Sequence, residues 1–301
     1  MSNTILSSSA FTTILMQRVN AQSKLKSTLT AALSACAIFA LSACSQDKTA
    51  TTEQGVPDND VAQTETIRIA AAANLADVLP NIIEGYKADN NLPAQNIEVS
   101  YASSGKLYAQ IQSGAPYDIF LSANQEFPEK WLKERPVTAT KHQPFTYTQG
   151  QLSVYSATKP MSGLTPTSLA KLLTSQQDSK ITIASPELAP YGASAQAYLQ
   201  AQNIYDALNS QKRIIQAENI GQAFQYAHTG NVDYGFVAQS QVTAIKATPE
   251  QFYILPADSY PAILQDGVVI SDSAVATDFA SYLLSPAGQQ YFVKAGYLEV
   301  R

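Results

Sequence analysis

The sequence predicts an α/β fold of two lobes crossed by a hinge, and three observations carry that reading. Short apolar strands alternate with helical periodicity from Ile67 onward, the same theme restarts in the middle of the chain, and a strand followed by two helices closes the C-terminal end. At 301 residues there is room for roughly two domains of about 150 residues each. Hydrophobic residues at 45% and charged residues at 14% allow a real core and exclude wholesale disorder.

The elements follow in order. Residues 67–72, Ile-Arg-Ile-Ala-Ala-Ala, read as a buried strand, and Leu75, Val78, Leu79, Ile82, Ile83 and Tyr86 then recur at helical spacing. A second strand over 97–101 precedes a helix carrying Leu107, Tyr108 and Ile111, and a third strand covers 117–121. This βαβαβ opening predicts a parallel sheet with helices on both faces. A hairpin-like stretch from Phe145 to Ser156, turning at Gln149-Gly150, leads to strands over 181–184, 213–216 and 232–237. Helices over 193–208 and 220–228 lie between them. The tail gives a strand around 262–270 and helices over 274–284 and 286–294. The lobes are expected to be 66–150 with 261–301, and 151–260.

The N-terminal segment has a different character. Arg18, Lys24 and Lys26 precede an uncharged run from Ser27 to Ala43, which describes an export signal over residues 1–43. The run ends Leu41-Ser42-Ala43-Cys44, similar to a bacterial lipobox, so cleavage is expected before Cys44 and lipidation on its thiol. An uncleaved membrane anchor is the alternative, though the run is short and polar for a span; Met1 and Met16 both remain open as the start. Cys36 and Cys44 are the two cysteines, so the mature chain has neither a disulfide nor a cysteine metal site. Cleavage removes three of the 19 basic residues and no acidic one, leaving 16 against 24, a net charge of −8. Residues 44–65 are polar and aperiodic, as a disordered tether between a lipid and a folded body would be.

Four strand-to-helix junctions carry the chemistry. Asn74, Ser103-Ser104-Gly105, Tyr191-Gly192 and Asn219-Ile220-Gly221 each sit where a helix opens, and each is read as a cap exposing backbone N–H groups at the positive end of a helix dipole. In an open α/β sheet such junctions lie at the carboxyl ends of strands, where ligands bind. One junction alone means nothing. Four, two per lobe, would line a cleft with hydrogen-bond donors and no obligatory cation, which suits a small, fully deprotonated dianion.

These same residues carry a family resemblance. Residues 69–75 (Ile-Ala-Ala-Ala-Ala-Asn-Leu), 100–111 (Ser-Tyr-Ala-Ser-Ser-Gly-Lys-Leu-Tyr-Ala-Gln-Ile), 113–123 (Ser-Gly-Ala-Pro-Tyr-Asp-Ile-Phe-Leu-Ser-Ala), Pro190-Tyr191-Gly192 and 217–220 (Ala-Glu-Asn-Ile) closely resemble the periplasmic molybdate-binding proteins of ABC importers. The resemblance runs from about Ile67 to the C-terminus, and the block over 113–123 is the most specific part. It implies a two-lobed, type II periplasmic-binding-protein fold that closes on molybdate and usually tungstate, with no cofactor and no catalysis. Carried over position by position, it implies Asn74 with Ala73 beside it, the Ser104 hydroxyl and amide, the Tyr191 main chain and the Ile220 amide as ligands. One branch of the family has a Tyr after the Gly-Φ-Val strand. Here Ala238 follows Gly235-Phe236-Val237, and the Tyr191 hydroxyl is the candidate replacement.

The implied partners are an ABC permease and its ATPase, reached by a monomer tethered in the Gram-negative periplasm through Cys44; Ser45 after it is compatible with the outer membrane. A sulfate receptor of the same fold is the alternative, since sulfate is also bound by neutral donors. The remote alternative is a serine acyl enzyme: Ser103-x-x-Lys106, Ser122-x-Asn124 and His228-Thr-Gly230 mimic its motifs. The first two lie too close in sequence for the helical domain that normally separates them. His142 and His228 lack metal-ligand spacing, Asp118 is expected to fix a hinge or cap a neighbour, Glu218 to favour a helix N-terminus, and Lys106 to lie exposed on its helix. No P-loop is present, and no basic stripe could track a nucleic-acid backbone.

Overall fold

A computed structural model describes residues 65–135 and 142–300. The expected export segment over 1–43, Cys44 and the expected tether as far as residue 64 lie outside the described residues. Among those described, no helix is long and apolar enough to cross a membrane.

Two five-stranded sheets organise the chain. The first has the order β2-β1-β3-β10-β4, from β1 (Ile67–Ala72), β2 (Ile97–Ala102), β3 (Ile119–Leu121), β4 (Phe145–Gly150) and β10 (Ile263–Val269). The second has the order β7-β6-β8-β5-β9, from β5 (Leu152–Tyr155), β6 (Ile181–Ala184), β7 (Ile214–Ala217), β8 (Tyr234–Ala238) and β9 (Phe252–Ile254). Each sheet has a parallel half made by βα units: β1 pairs in parallel with β2 and β3, and β6 with β7 and β8. The later strands add antiparallel edges, β10 and β4 to the first sheet, β5 and β9 to the second. The sheets are therefore mixed, not purely parallel as the opening units imply.

The strand β1 illustrates the local logic. Ile67, Ile69 and the alanines behind them are buried while Arg68 stays exposed, and the small Ala70–Ala72 allow close packing on both faces of a central strand. Its neighbouring helix α1 (Leu79–Asp89) starts with Pro80 in the first turn and turns Leu79, Ile82, Ile83 and Tyr86 inward at helical spacing. The sequence runs these residues together with Leu75. The structure instead inserts a 3₁₀ turn (Ala73–Leu75) and a bend before α1.

Two further expectations are corrected. Residues 145–156 do not form a hairpin. The strands β4 and β5 are separated by Gln151 alone yet belong to different sheets, so the chain crosses between lobes here. It crosses back between β9 and β10. The expected helix over 193–208 is two helices, α5 (Pro190–Ala201) and α6 (Tyr205–Ser210), broken where Asn203 takes φ 58°, a left-handed conformation that asparagine tolerates.

The remaining helices fill the layers: α2 (Ser104–Gln112), α3 (Glu126–Lys133), α4 (Pro166–Ser175), α7 (Ile220–His228), α8 (Gln239–Ala244), α9 (Ala274–Leu284) and α10 (Pro286–Lys294). After α10 the chain returns to the first sheet, where Leu298 bridges Gln149 and brings Tyr297 inward.

Candidate functional site

The first-sheet strands β1 and β2 and the second-sheet strands β6 and β7 all end at one place, and the segments following them line one small cavity of about 10 Å³. That is the room of about one water molecule, so the walls stand almost closed on each other, far below the roughly 300 Å³ at which drug-sized ligand sites begin. Ala73, Asn74, Ser104, Tyr191 and Ile220, taken from four separated segments, all lie on its wall, with Ser103, Asn219 and Ala123 between them. No lining residue carries a charge.

The donors come from chain starts. Ser104 and Ile220 are the first residues of α2 and α7, and Tyr191 is the second residue of α5, after Pro190, which has no N–H to give. Among the described residues the amides of Asn74, Ser104, Tyr191 and Ile220 have no protein acceptor. Unspent N–H groups at helix N-termini carry the positive end of the helix dipole. A buried, uncharged cavity bordered by such groups is built to receive negative charge.

Not every junction is capped as the sequence implies. Asn219 does cap α7, its side chain accepting from Gln222 N at 3.0 Å. Asn74 is no cap at all: it sits in the 3₁₀ turn, and its amide nitrogen donates to Gln265 Oε1 at 2.9 Å and Tyr297 OH at 3.0 Å. Ser103 holds the cap position of α2 but its hydroxyl makes no cap bond and is buried without a partner. Ser104 Oγ accepts from Ala123 N at 2.9 Å, which leaves its own proton free to donate.

Behind the wall lies a tyrosine and glutamine network that the sequence did not disclose. Gln265 on β10 donates through Nε2 to Tyr191 OH at 3.1 Å and accepts from Tyr147 OH at 3.1 Å. Tyr297 donates to Asn74 O at 2.6 Å, and Ser240 at the start of α8 reaches the same carbonyl at 3.3 Å. Burial pushes the hydroxyls of Tyr147, Tyr191 and Tyr297 well above the usual phenol range, so they remain neutral donors. The Tyr191 hydroxyl is thus engaged with Gln265 behind the cavity wall. The signal for Gln265 and Tyr297 is absent from any motif, because they lie 191 and 223 residues from Asn74.

The lobes touch around the cavity. Gly105 N donates to Leu188 O at 2.9 Å, and a Cβ on Gly105 would stand 3.1 Å from the Leu188 backbone. Lys106 lies exposed on its helix as expected and there pairs with Glu218, which so has a cationic partner in the other lobe. Gly150, at the crossover, leaves room for the Tyr191 hydroxyl, with which a Cβ would collide.

The residues that mimic an acyl enzyme are engaged with other partners. Lys106 is spent on Glu218, Ser122 Oγ donates to Asn124 Oδ1 at 2.8 Å, and His228 meets Tyr155 OH at 3.0 Å while stacking on Phe224. His142 packs against Trp131 with Nδ1 2.8 Å from Val269 O. Asp118 accepts from Arg68 N at 2.7 Å, fixing the start of β1. Among the described residues no group of three or more His, Cys, Asp and Glu could hold a metal ion.

The family model described as bacterial extracellular solute-binding protein matches residues 67–298. The molybdate-binding protein ModA of Azotobacter vinelandii is 33% identical over 240 residues, 78% of this chain and 91% of that protein. Its counterpart in Rhodobacter capsulatus is 31% identical over 76% of this chain and 89% of its own length. The solved structure of the Azotobacter vinelandii periplasmic molybdate-binding protein superposes with a TM-score of 0.69 at 30% identity, covering 78% of this chain and all of that one. With the donor-lined cavity between two α/β lobes, these likenesses place the chain among the bacterial extracellular solute-binding proteins, in the molybdate-binding family of binding proteins, not enzymes.

Proposed function

We propose that this protein captures molybdate, and tungstate with it, in the periplasm and delivers the anion to an ABC permease and its ATPase. The observation that carries the reading is the single uncharged cavity on which Ala73, Asn74, Ser104, Tyr191 and Ile220 converge, with four unspent amides among them. A tetrahedral dianion offers acceptors only, so the four unspent amides and the Ser104 hydroxyl match it. Neutral donors in a dry cavity act more strongly than in water. The lobes are read as 66–150 with 261–301, and 151–260, hinged at the two crossovers, and closure around the anion is what the permease would recognise.

Cys44 is proposed as the lipidated residue after cleavage of residues 1–43, with residues 44–65 as the tether. The protein would then work as a monomer anchored to a membrane facing the periplasm. A sulfate receptor remains the second reading, because donors alone do not set size. Isothermal titration of the full-length protein with molybdate, tungstate, sulfate and phosphate decides between them. Binding of the first two with silence from the others is expected; sulfate binding as tightly as molybdate would move the site to sulfate, and silence from all four would sink the oxyanion reading.

A further inference from the structure

Asn74 reaches the cavity with an amide whose nitrogen is already spent. It is 1% exposed, Nδ2 donates to Gln265 and Tyr297, and Oδ1 is buried with no partner. An anion needs the reverse, N–H toward the cavity and oxygen toward the protein. A half-turn of the amide exchanges the two atoms with no change of shape. Asn74 cannot make that turn alone, because its oxygen would then face Gln265 Oε1 at 2.9 Å, acceptor against acceptor.

If Gln265 turns as well, the whole network closes. Its Nε2 then donates to Asn74 Oδ1 and to the Tyr147 oxygen at 3.1 Å, while the Tyr147 proton goes to Ser122 O at 2.8 Å. Its Oε1 accepts from Tyr191 OH across 3.1 Å, giving that buried proton an acceptor. Tyr297 shares its proton between Asn74 O at 2.6 Å and Asn74 Oδ1 at 3.0 Å. Apart from the exchanged nitrogen and oxygen of the two amides, every heavy atom keeps its place, and Asn74 Nδ2 is released toward the cavity. We propose that Gln265 is the positioning residue of the site: it fixes which way the Asn74 amide faces, and through Tyr191 it ties that orientation to the opposite lobe. This rests on the oxyanion reading and adds to it a residue that touches no ligand.

The test is a double-mutant cycle between Gln265→Met and Asn74→Ala, read by molybdate titration of the full-length protein. Methionine keeps the length and burial of Gln265 but cannot orient an amide. Q265M is expected to bind molybdate about 10- to 100-fold more weakly, the loss of one hydrogen bond to a charged group. If Gln265 acts through Asn74, the double variant binds no more weakly than N74A. Q265M binding like the unaltered protein, or losses that multiply in the double variant, would overturn the proposal. Failure of the unaltered protein to bind molybdate or tungstate defeats the oxyanion reading first, and this inference with it, before any substitution is made. Should Q265M not fold, side-chain NH₂ resonances of the unaltered protein decide: Asn74 and Gln265 moving together on adding molybdate supports the paired turn, and Asn74 moving alone overturns it.

Discussion

Ser104 shows how one side chain serves both the fold and the site. Its oxygen accepts from Ala123 N, tying α2 to the segment after β3, and its proton is left free to donate at the cavity wall. Ser104→Ala removes one donor and leaves one anion oxygen short of a partner, which costs about 1–3 kcal/mol in binding, while the partner lost by Ala123 N weighs on the free and the bound protein alike. Calorimetry with molybdate checks it; an unchanged affinity would remove Ser104 from the site. The tyrosines give a second prediction at this scale. Burial raises Tyr147, Tyr191 and Tyr297 above the value near 10 that they have in an unfolded chain. The folded state therefore holds these protons more tightly, so stability from this source is fully present below pH 10 and is lost as pH rises beyond it. The thermal midpoint should be level from about pH 7 to 9 and fall above about pH 10. Tyr297→Phe, which has no proton to lose, should soften that fall; a variant with an unchanged alkaline limb would show that Tyr297 is not part of it.

Elements differ in how much of them the sequence carries. The strand over 67–72, the helix over 220–228 and the helices over 274–284 and 286–294 are legible because periodicity and end signals agree: Asn219, Ser273 and Ser285 each cap the helix that follows. The helix α4 carried a legible signal as well, Thr165 and Ser168 forming a reciprocal cap with Pro166 between them. The helix α3 is obscured by Pro128, which reads as a breaker although a proline is tolerated in the first turn. The crossover at Gln151 is illegible in principle, since two strands one residue apart carry no mark of which sheet each will join. The same limit hides Gln265 and Tyr297, whereas the cavity wall itself was readable because its donors sit at helix starts. At this scale the contact of α2 with the entry to α5 makes its own prediction. Gly105→Ala places a methyl 3.1 Å from the Leu188 backbone, where neither chain gives easily, and crowds the bond from Gly105 N to Leu188 O. The lobes should then close less completely. Molybdate should dissociate faster in stopped-flow measurements while each lobe keeps its circular dichroism; an unaltered dissociation rate would show that this contact does not set closure.

The whole molecule is held shut by few bonds around its cavity. Gln265 to Tyr191 and Ser240 to Asn74 are buried and Gly105 to Leu188 lies at an exposed edge, while the Lys106–Glu218 pair is 50% and 43% exposed and contributes about 0–1 kcal/mol after screening. None of these bonds is strong enough to lock the lobes, and the apolar contact between them is small, Ala72, Ala73, Ala123 and Ile263 of the first lobe packing into the core of the second, so an anion gripped by both lobes would add a strong link. It must also stabilise the folded chain, because the donors at Asn74, Ser104, Tyr191 and Ile220 converge only when both sheets are formed. At a molybdate concentration about 100 times its dissociation constant the gain is about 2.7 kcal/mol. For a body of this size that corresponds to a rise of roughly 5–10 °C in the thermal midpoint. The rise should come with a sharper single transition in calorimetry, since the ligand couples two lobes that would otherwise melt more independently. A midpoint that does not move with molybdate, or one lobe melting unshifted while the other rises, would mean that the anion is not held between the lobes.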